Sequence, residues 1–489
     1  MLTNEIVLPF WLAVPALVLA VLGARAYVVE PLVRRALLRR ERDLKARLNT
    51  TLTRSLPKVL QVPRRVLVER LLDDEEVRNS IEIAARNAGQ EAAEAEARTY
   101  VDELMPSFYA LFYFRIGYWL TRQWLRSMYE IRIVKQLPKD VYADIPKDAS
   151  IVLVGNHRSN VDVAVLIYLT ARTSMISFAA GEWASVWPVN RLIHMSGSYI
   201  IRRKSQNALY KTVLARYMHM MIGAHMPQGI FLEGGLSRDG AIQPIKLGLM
   251  RYILAGLGAA GDTRDIVFIP VAFNYDRVPE DLTLLAHQNG GFARKTRFYT
   301  IRKTVWHSLG LIARLLRIQR QSFGRAAVSF GSGLSVRKWL EDQDMSVEDL
   351  DDAQRRAIVA PMARTIIGQI ADMVPILPVS LAATVIRDAG DGSMTRVQLG
   401  QRVLALIERL RANDAPLAFS EFRDSQAAEL GLQVLLTRGV VTESAGTLAR
   451  RADKTPLLDY YAHTISHFLQ DEPEPAPLAS ILTVHEPDI

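Results

Sequence analysis

His157 and Asp162 are the residues from which chemistry is most readily built. They stand in the segment Asn156-His157-Arg158-Ser159-Asn160-Val161-Asp162, between the apolar run IVLVG at 151–155 and a second, helix-like apolar run. A histidine in a strand-to-helix loop, with a carboxylate five residues on at the helix start, can form a His–Asp hydrogen bond. The carboxylate then fixes the imidazole tautomer and stabilises the imidazolium, and the other ring nitrogen is left to take a proton. The spacing alone is common in large proteins, and an Asp near a helix N-terminus also serves as a simple cap. Three later segments sharpen it. Gly197-Ser198-Tyr199-Ile200-Ile201-Arg202-Arg203-Lys204 closes a strand with three adjacent cations. Phe231-Leu232-Glu233-Gly234-Gly235-Leu236-Ser237-Arg238-Asp239-Gly240 ends another with a small-residue turn, and Ile269 to Arg277 is the fourth. Strand ends are where α/β folds collect their sites. Cations there suit a phosphate dianion, because the arginine fork matches its oxygens.

The elements that must hold these residues follow from the apolar pattern. IVLVG at 151–155, SYIIR at 198–202, GIFLEG at 229–234, DIVFIPVAF at 265–273 and AAVSFG at 326–331 read as strands separated by helix-length stretches. That alternation predicts an α/β domain over 135–340. Residues 31–134 read as a helical N-terminal region, 341–470 as a helical C-terminal region and 471–489 as a tail. There is no internal repeat.

Charge and hydropathy point towards a membrane surface. Net charge is +9, pI is near 9.6 and mean hydropathy is +0.07. Such a balance suits nucleic acid or anionic lipid, but no RNA- or DNA-binding motif accompanies it. Between Leu282 and Leu340 there are eleven Lys or Arg and no Asp or Glu, around the apolar run Val305–Ile318. This reads as a basic amphipathic segment for a bilayer headgroup region, or as a solvated helix with its stripe on the domain. Ile6 to Ala24 carries no charge over nineteen residues, with Arg25, Arg34, Arg35, Arg39 and Arg40 behind it. Residues 1–30 are therefore expected to anchor the chain, spanning or lying on the membrane, with the bulk on the cytoplasmic face. Phe108–Leu125, rich in aromatics with Arg115 and Arg122, reads as a helix at an interface or in the core. The chain has no cysteine, which excludes disulfides, thiolate metal sites and a cysteine nucleophile.

The four blocks GNHRSNVD, GSYIIRR, FLEGGLSRDG and IPVAFNYDRV, in that order, resemble the glycerolipid acyltransferase family. Glu233-Gly234-Gly235, Ser237-Arg238 and Lys246-Leu247-Gly248 look like its glycerol-3-phosphate acyltransferase branch. AVSFGSGLSVRKWL at 327–340, VPILPVSLAATVI at 374–386 and LLDYYAHTISHF at 457–468 look like downstream segments of that branch. The resemblance covers roughly residues 75–470. It implies an acyltransferase domain with a central mixed sheet flanked by helices, and transfer of a fatty acyl group from an acyl thioester to the sn-1 hydroxyl of glycerol 3-phosphate, the first step of phospholipid synthesis. His157 would be the base and Asp162 its partner. Backbone N–H groups of the loop, or of Gly234 and Gly235, would hold the oxyanion. Glu233 and Ser237 would shape the acceptor pocket, and Arg158, Arg202, Arg203, Arg238 and Lys246 would bind substrate. Where the family usually carries Arg, this chain has Leu236, so the remaining cations would have to supply that charge. No cofactor or metal is implied beyond acyl-CoA or acyl carrier protein as co-substrate, and the basic face suits either donor or the membrane. The competing readings are an acyltransferase for lysophosphatidate or dihydroxyacetone phosphate, and a catalytically silent lipid-binding scaffold.

Other motifs carry less. Gly256 to Gly261 matches a dinucleotide fingerprint but follows a helix and precedes a strand, the reverse of the required context. His463 and His467 have the spacing of a metal pair without a third ligand, and packing is favoured. Neither Ser159 nor Ser237 lies in a Gly-x-Ser-x-Gly elbow.

Overall fold

A computed structural model describes residues 30–202, 205, 207–257, 264–288, 323–390 and 392–469. The expected anchor at 1–30 (all but its last residue), Arg203, Lys204, the run 258–263, the basic segment Val305–Ile318 and the tail at 471–489 lie outside the described residues.

Five helices open the chain: α1 (Glu30–Thr51), α2 (Arg64–Leu72), α3 (Glu75–Ala88), α4 (Gln90–Leu104) and α5 (Tyr118–Met128), the last entered through a π-helical turn at Phe112–Gly117. The α/β part follows as β1 (Glu130–Ile133), α6 (Pro138–Ala143), β2 (Ser150–Gly155), α7 (Val161–Thr170), β3 (Ser177–Ala180), α8 (Val189–Met195), β4 (Tyr199–Ile200), α9 (Ala208–Gly223), β5 (Gln228–Phe231), α10 (Gly248–Ala255), β6 (Ile266–Tyr275), α11 (Asp281–Gln288), β7 (Arg325–Phe330), β8 (Leu334–Ser335) and α12 (Val336–Glu341). The rest is α13 (Asp352–Ala357), α14 (Val359–Asp372), α15 (Pro378–Asp388), β9 (Met394–Thr395), α16 (Arg396–Ala412), α17 (Asp424–Thr437), β10 (Val441–Ser444), β11 (Thr447–Arg450) and α18 (Thr455–His463).

The main sheet runs β1-β7-β6-β2-β5-β3-β4, with β8 also on β6. It is mixed: β6, β2, β5, β3 and β4 are parallel, and β7 and β8 meet β6 antiparallel. β2 and β6 are buried along their whole length, as expected of strands covered on both faces. Successive side chains of β2 divide between two cores: Ile151 and Leu153 face one, Val152 and Val154 the other. Pro270 is tolerated inside β6 because its carbonyl side, marked by the Gly331 N–H bond to Pro270 O, faces the gap between β8 (pairing Val267–Phe268) and β7 (pairing Val271–Tyr275), where no ladder donor is needed.

Two features differ from or go beyond the sequence reading. The sheet takes its first strand from Glu130–Ile133, before residue 135, and gains β3, which the apolar pattern did not mark. The C-terminal helices, read from the sequence only as a helical region, share their cores with the sheet among the described residues. Residues of α15, α17 and α18 pack with β2, β6 and β7 in one cluster, and α14 joins α4 and α9 in the other. The C-terminal part adds a small sheet, β10-β11-β9, to its helices.

Candidate active site

The parallel strands β2, β5 and β6 all end at the same edge, and the first, third and fourth sequence blocks gather there. β2 delivers Asn156, whose side chain accepts from Phe273 N (2.7 Å) and donates to Phe273 O (3.1 Å) on β6. This pair ties the following loop to the sheet. His157 comes next, 7 % exposed, with its ring stacked on Phe231 at 4.0 Å between centroids and 15° between planes. Its Nδ1 lies 2.9 Å from Asp162 Oδ2.

Asp162 is fully buried in the first turn of α7. Its Oδ2 accepts the backbone N–H of Arg158 (2.8 Å) and Ser159 (3.0 Å), and its Oδ1 accepts the Tyr275 hydroxyl (2.5 Å). It is thus both the brace of the loop and the partner of the imidazole. With an acceptor-only carboxylate on Nδ1, the imidazole carries its proton there and keeps Nε2 as the basic atom. Burial, followed by the charge of Asp162 and its hydrogen bond, pushes the Tyr275 phenol well above its ordinary value, so it stays a donor.

The third block clamps the backbone of His157 from both sides. Glu233 Oε1 accepts the His157 N–H (3.1 Å), and the Ser237 N–H donates to His157 O (2.8 Å). Burial raises the Glu233 carboxyl to about 8, against the opposing charge of Arg158. The second Glu233 oxygen has no partner among the described residues. Between these two clamps the chain turns at Gly234, whose φ of +63° an L side chain would resist. Gly234 N–H bonds to Phe231 O (3.1 Å), whereas Gly235 N–H has no partner among the described residues. Ser237 Oγ donates to Ala241 O (2.7 Å) and accepts from Gly240 N (3.1 Å), so this hydroxyl builds the turn.

The cations fall into three groups. Arg158 is 1 % exposed; its Nη1 reaches Ala241 O at 3.4 Å, and Nε and Nη2 have no partner among the described residues. Arg238 and Lys246 are exposed, and the Lys246 stem lies over Gly234, its Nζ 3.4 Å from where a Cβ would sit. Arg202 is set apart. It forms a two-pronged ion pair with Glu103 of α4 (2.6 and 2.8 Å), and its strand β4 is three places from β2, roughly 14 Å at the usual strand spacing. Leu236, in the place of the family's Arg, packs against the core that contains α15 and α17.

Sequence reasoning missed several supports. Asn156 and Tyr275 lay inside the blocks, yet only the sheet order brings them to Phe273 and Asp162. Ser159 and Asn160 both donate to Glu280 (2.7 and 3.1 Å), fixing the far side of the loop. From the C-terminal part, α18 presses its Tyr460 carbonyl on Gly240, where a Cβ would come within 1.9 Å, and His463 Nδ1 lies 3.1 Å from Asp239 O. His467 instead meets Ala371 O at 3.0 Å, so the two histidines hold different backbone carbonyls.

Residues 139–274 match the acyltransferase family model, and 308–482 match that of the glycerol-3-phosphate acyltransferase C-terminal region. The chain therefore carries an acyltransferase-family domain joined to that C-terminal region. It is similar to the glycerol-3-phosphate acyltransferase of Aeromonas hydrophila, at 27 % identity over 71 % of this chain and 42 % of the relative. With that of Shewanella woodyi it shares 24 % identity over 86 % of this chain and 52 % of the relative. The chain spans about half the length of the curated relatives it matches. Among solved structures, the 1-acyl-sn-glycerophosphate acyltransferase PlsC of Thermotoga maritima aligns over 52 % of this chain and 79 % of its own, with 13 % identity and a TM-score of 0.29.

Proposed function

We propose that this chain, an acyltransferase-family domain with the C-terminal region of glycerol-3-phosphate acyltransferases, esterifies the sn-1 hydroxyl of glycerol 3-phosphate with a fatty acyl group from an acyl thioester. The observation that carries the reading is the His157–Asp162 contact of 2.9 Å at the end of β2, with Nε2 left as the basic atom. Nε2 takes the hydroxyl proton as the oxygen adds to the thioester carbonyl. The tetrahedral intermediate collapses, the C–S bond breaks, and the imidazolium returns the proton to the leaving thiolate. Asp162 stabilises the imidazolium between these steps. Gly235 N–H is the donor best free to meet the oxyanion. Lys246 and Arg238, exposed beside the glycine turn, with Arg158 beneath, are the phosphate ligands we favour over Arg202, whose charge Glu103 already neutralises.

An exposed aromatic stretch before and within α5 supports attachment to lipid. Tyr109 N–H bonds to Met195 O, setting the start of this stretch beside α8; Tyr109, Ile116 and Trp119 are exposed in it together with Arg115 and Arg122, and Trp187, just before α8, is exposed as well. Aromatic and aliphatic groups flanked by arginine favour headgroup depth. No helix among the described residues is long and apolar enough to cross a membrane. Placement on the cytoplasmic face, with acyl-CoA or acyl carrier protein as donor, is part of this proposal.

The test is acyl transfer from a long-chain thioester of each donor type to labelled glycerol 3-phosphate, lysophosphatidate and dihydroxyacetone phosphate, with wild type and His157→Ala. Product from glycerol 3-phosphate with wild type alone supports the assignment. Product only from another acceptor replaces the substrate, and equal turnover by His157→Ala removes the base.

A further inference from the structure

At the opposite edge of the sheet from His157 lies a cavity of about 800 Å³, in the size range of small-ligand sites. Its floor includes Ala149 and Ile151 at the start of β2 and Pro227 just before β5. The end of α9 forms one wall, and the chain around α2 forms the other. Six cations line it: Arg54, Lys58, Arg70, Lys147, Arg216 and Arg264. Asp74 is the one carboxylate among its described lining residues, and it already pairs with Arg216 at 2.8 Å. Arg54 is buried, with Nη1 and Nη2 on the carbonyls of Pro146 and Ile145 (2.7 Å each) and no carboxylate at ion-pair distance among the described residues. Lys58, Arg70 and Lys147 are exposed and have no partner among the described residues. In the wall, His219 Nδ1 faces Arg216 Nη1 at 3.3 Å, which puts the imidazole proton on Nε2, a buried atom without a partner among the described residues.

A concave surface with this excess of one sign is unfavourable on its own and is relieved by a counter-charge. Leu56, Val59, Leu67, Leu71 and Ile151 give it an apolar side as well. We propose that this cavity binds a small phosphorylated molecule bearing at least two negative charges, its phosphates on Lys58, Arg70, Lys147 and Arg54 and its organic part on the apolar wall. β2 separates the cavity from the catalytic loop by its six residues, roughly 20 Å, so this ligand is not the acyl acceptor. The proposal stands whether or not the chain acylates glycerol 3-phosphate.

Pyrophosphate is the probe, titrated calorimetrically into the full chain at constant ionic strength maintained with chloride. Saturable binding is expected in wild type and in His157→Ala. Lys58→Glu with Arg70→Glu, both on exposed side chains, is expected to weaken it about 10- to 100-fold at an unchanged melting temperature. Absence of saturable binding, or equal affinity in the folded double variant, overturns the site. Competition by ATP but not by phosphatidate vesicles would name a soluble metabolite as the source, and the reverse a lipid headgroup. Competition by neither overturns the assigned ligand class.

Discussion

Asp162→Asn separates the electrostatic role of the carboxylate from its structural one. An asparagine with its oxygen at the Oδ2 position still accepts from His157 Nδ1, Arg158 N and Ser159 N, and its amide meets the Tyr275 hydroxyl as donor. The loop and the imidazole tautomer are kept, and only the negative charge is lost. Two unit charges about 4 Å apart in an effective dielectric near 20 attract by about 4 kcal/mol. Removing that stabilisation from the imidazolium should lower kcat by about 10³. The assay is thiol release from the acyl thioester at saturating acceptor, alongside a thermal melt. The expected result is a kcat loss near three orders of magnitude, with KM for the acceptor and the melting temperature close to wild type. A kcat within tenfold of wild type would refute the reasoning, because His157 would then not become an imidazolium beside this carboxylate. Asp162→Ala is the contrast: it orphans four donors and should cost about 3–5 kcal/mol of stability as well.

Tyr275→Phe removes the hydroxyl bonded to Asp162 Oδ1 at 2.5 Å; a loss of about 1–2 kcal/mol in denaturant unfolding is expected, with kcat reduced several-fold and acceptor KM unchanged. The Glu233 carboxyl sits near 8 in the fold, above its unfolded value of 4.5, so the folded state holds the extra proton and stability falls as pH rises from about 5 to 8. Glu233→Gln should flatten that fall, read as a smaller change in urea midpoint between pH 5.5 and 8, while its amide oxygen still accepts the His157 N–H. A variant with the wild-type slope would show that Glu233 is not the group responsible. Lys246→Ala should raise KM for glycerol 3-phosphate at least tenfold, whereas Arg202→Ala should leave it within about twofold and lower the melting point slightly by breaking the half-exposed pair with Glu103. The opposite ranking would move the phosphate to β4.

Elements whose signal is local can be read from the residues alone. IVLVG and DIVFIPVAF are near-continuous apolar runs, and a strand buried on both faces must look like that, so β2, β6 and the α/β class were legible. The His157–Asp162 pairing was legible because five residues across a strand-to-helix turn already place the two side chains together. Other features depend on which strands are neighbours. β1 and β3 are four residues each and have mixed or weak apolar character, so only pairing with β7 and β5 makes them strands. Glu233 and Tyr275 reach the catalytic loop because β5 and β6 flank β2, an order that no local pattern encodes. Arg202 read as a phosphate ligand by its type and its block. The fold instead set it on the far strand against Glu103, and an ion pair made 99 residues away in the chain is invisible to spacing. The C-terminal helices, read as a separate region, enter both cores because the apolar faces of the sheet need covering and α14 to α18 supply that cover. Local chemistry follows from residue type and short spacing. Which charge is free, which is neutralised and which backbone is braced follows from long-range packing, and only the tertiary structure decides it.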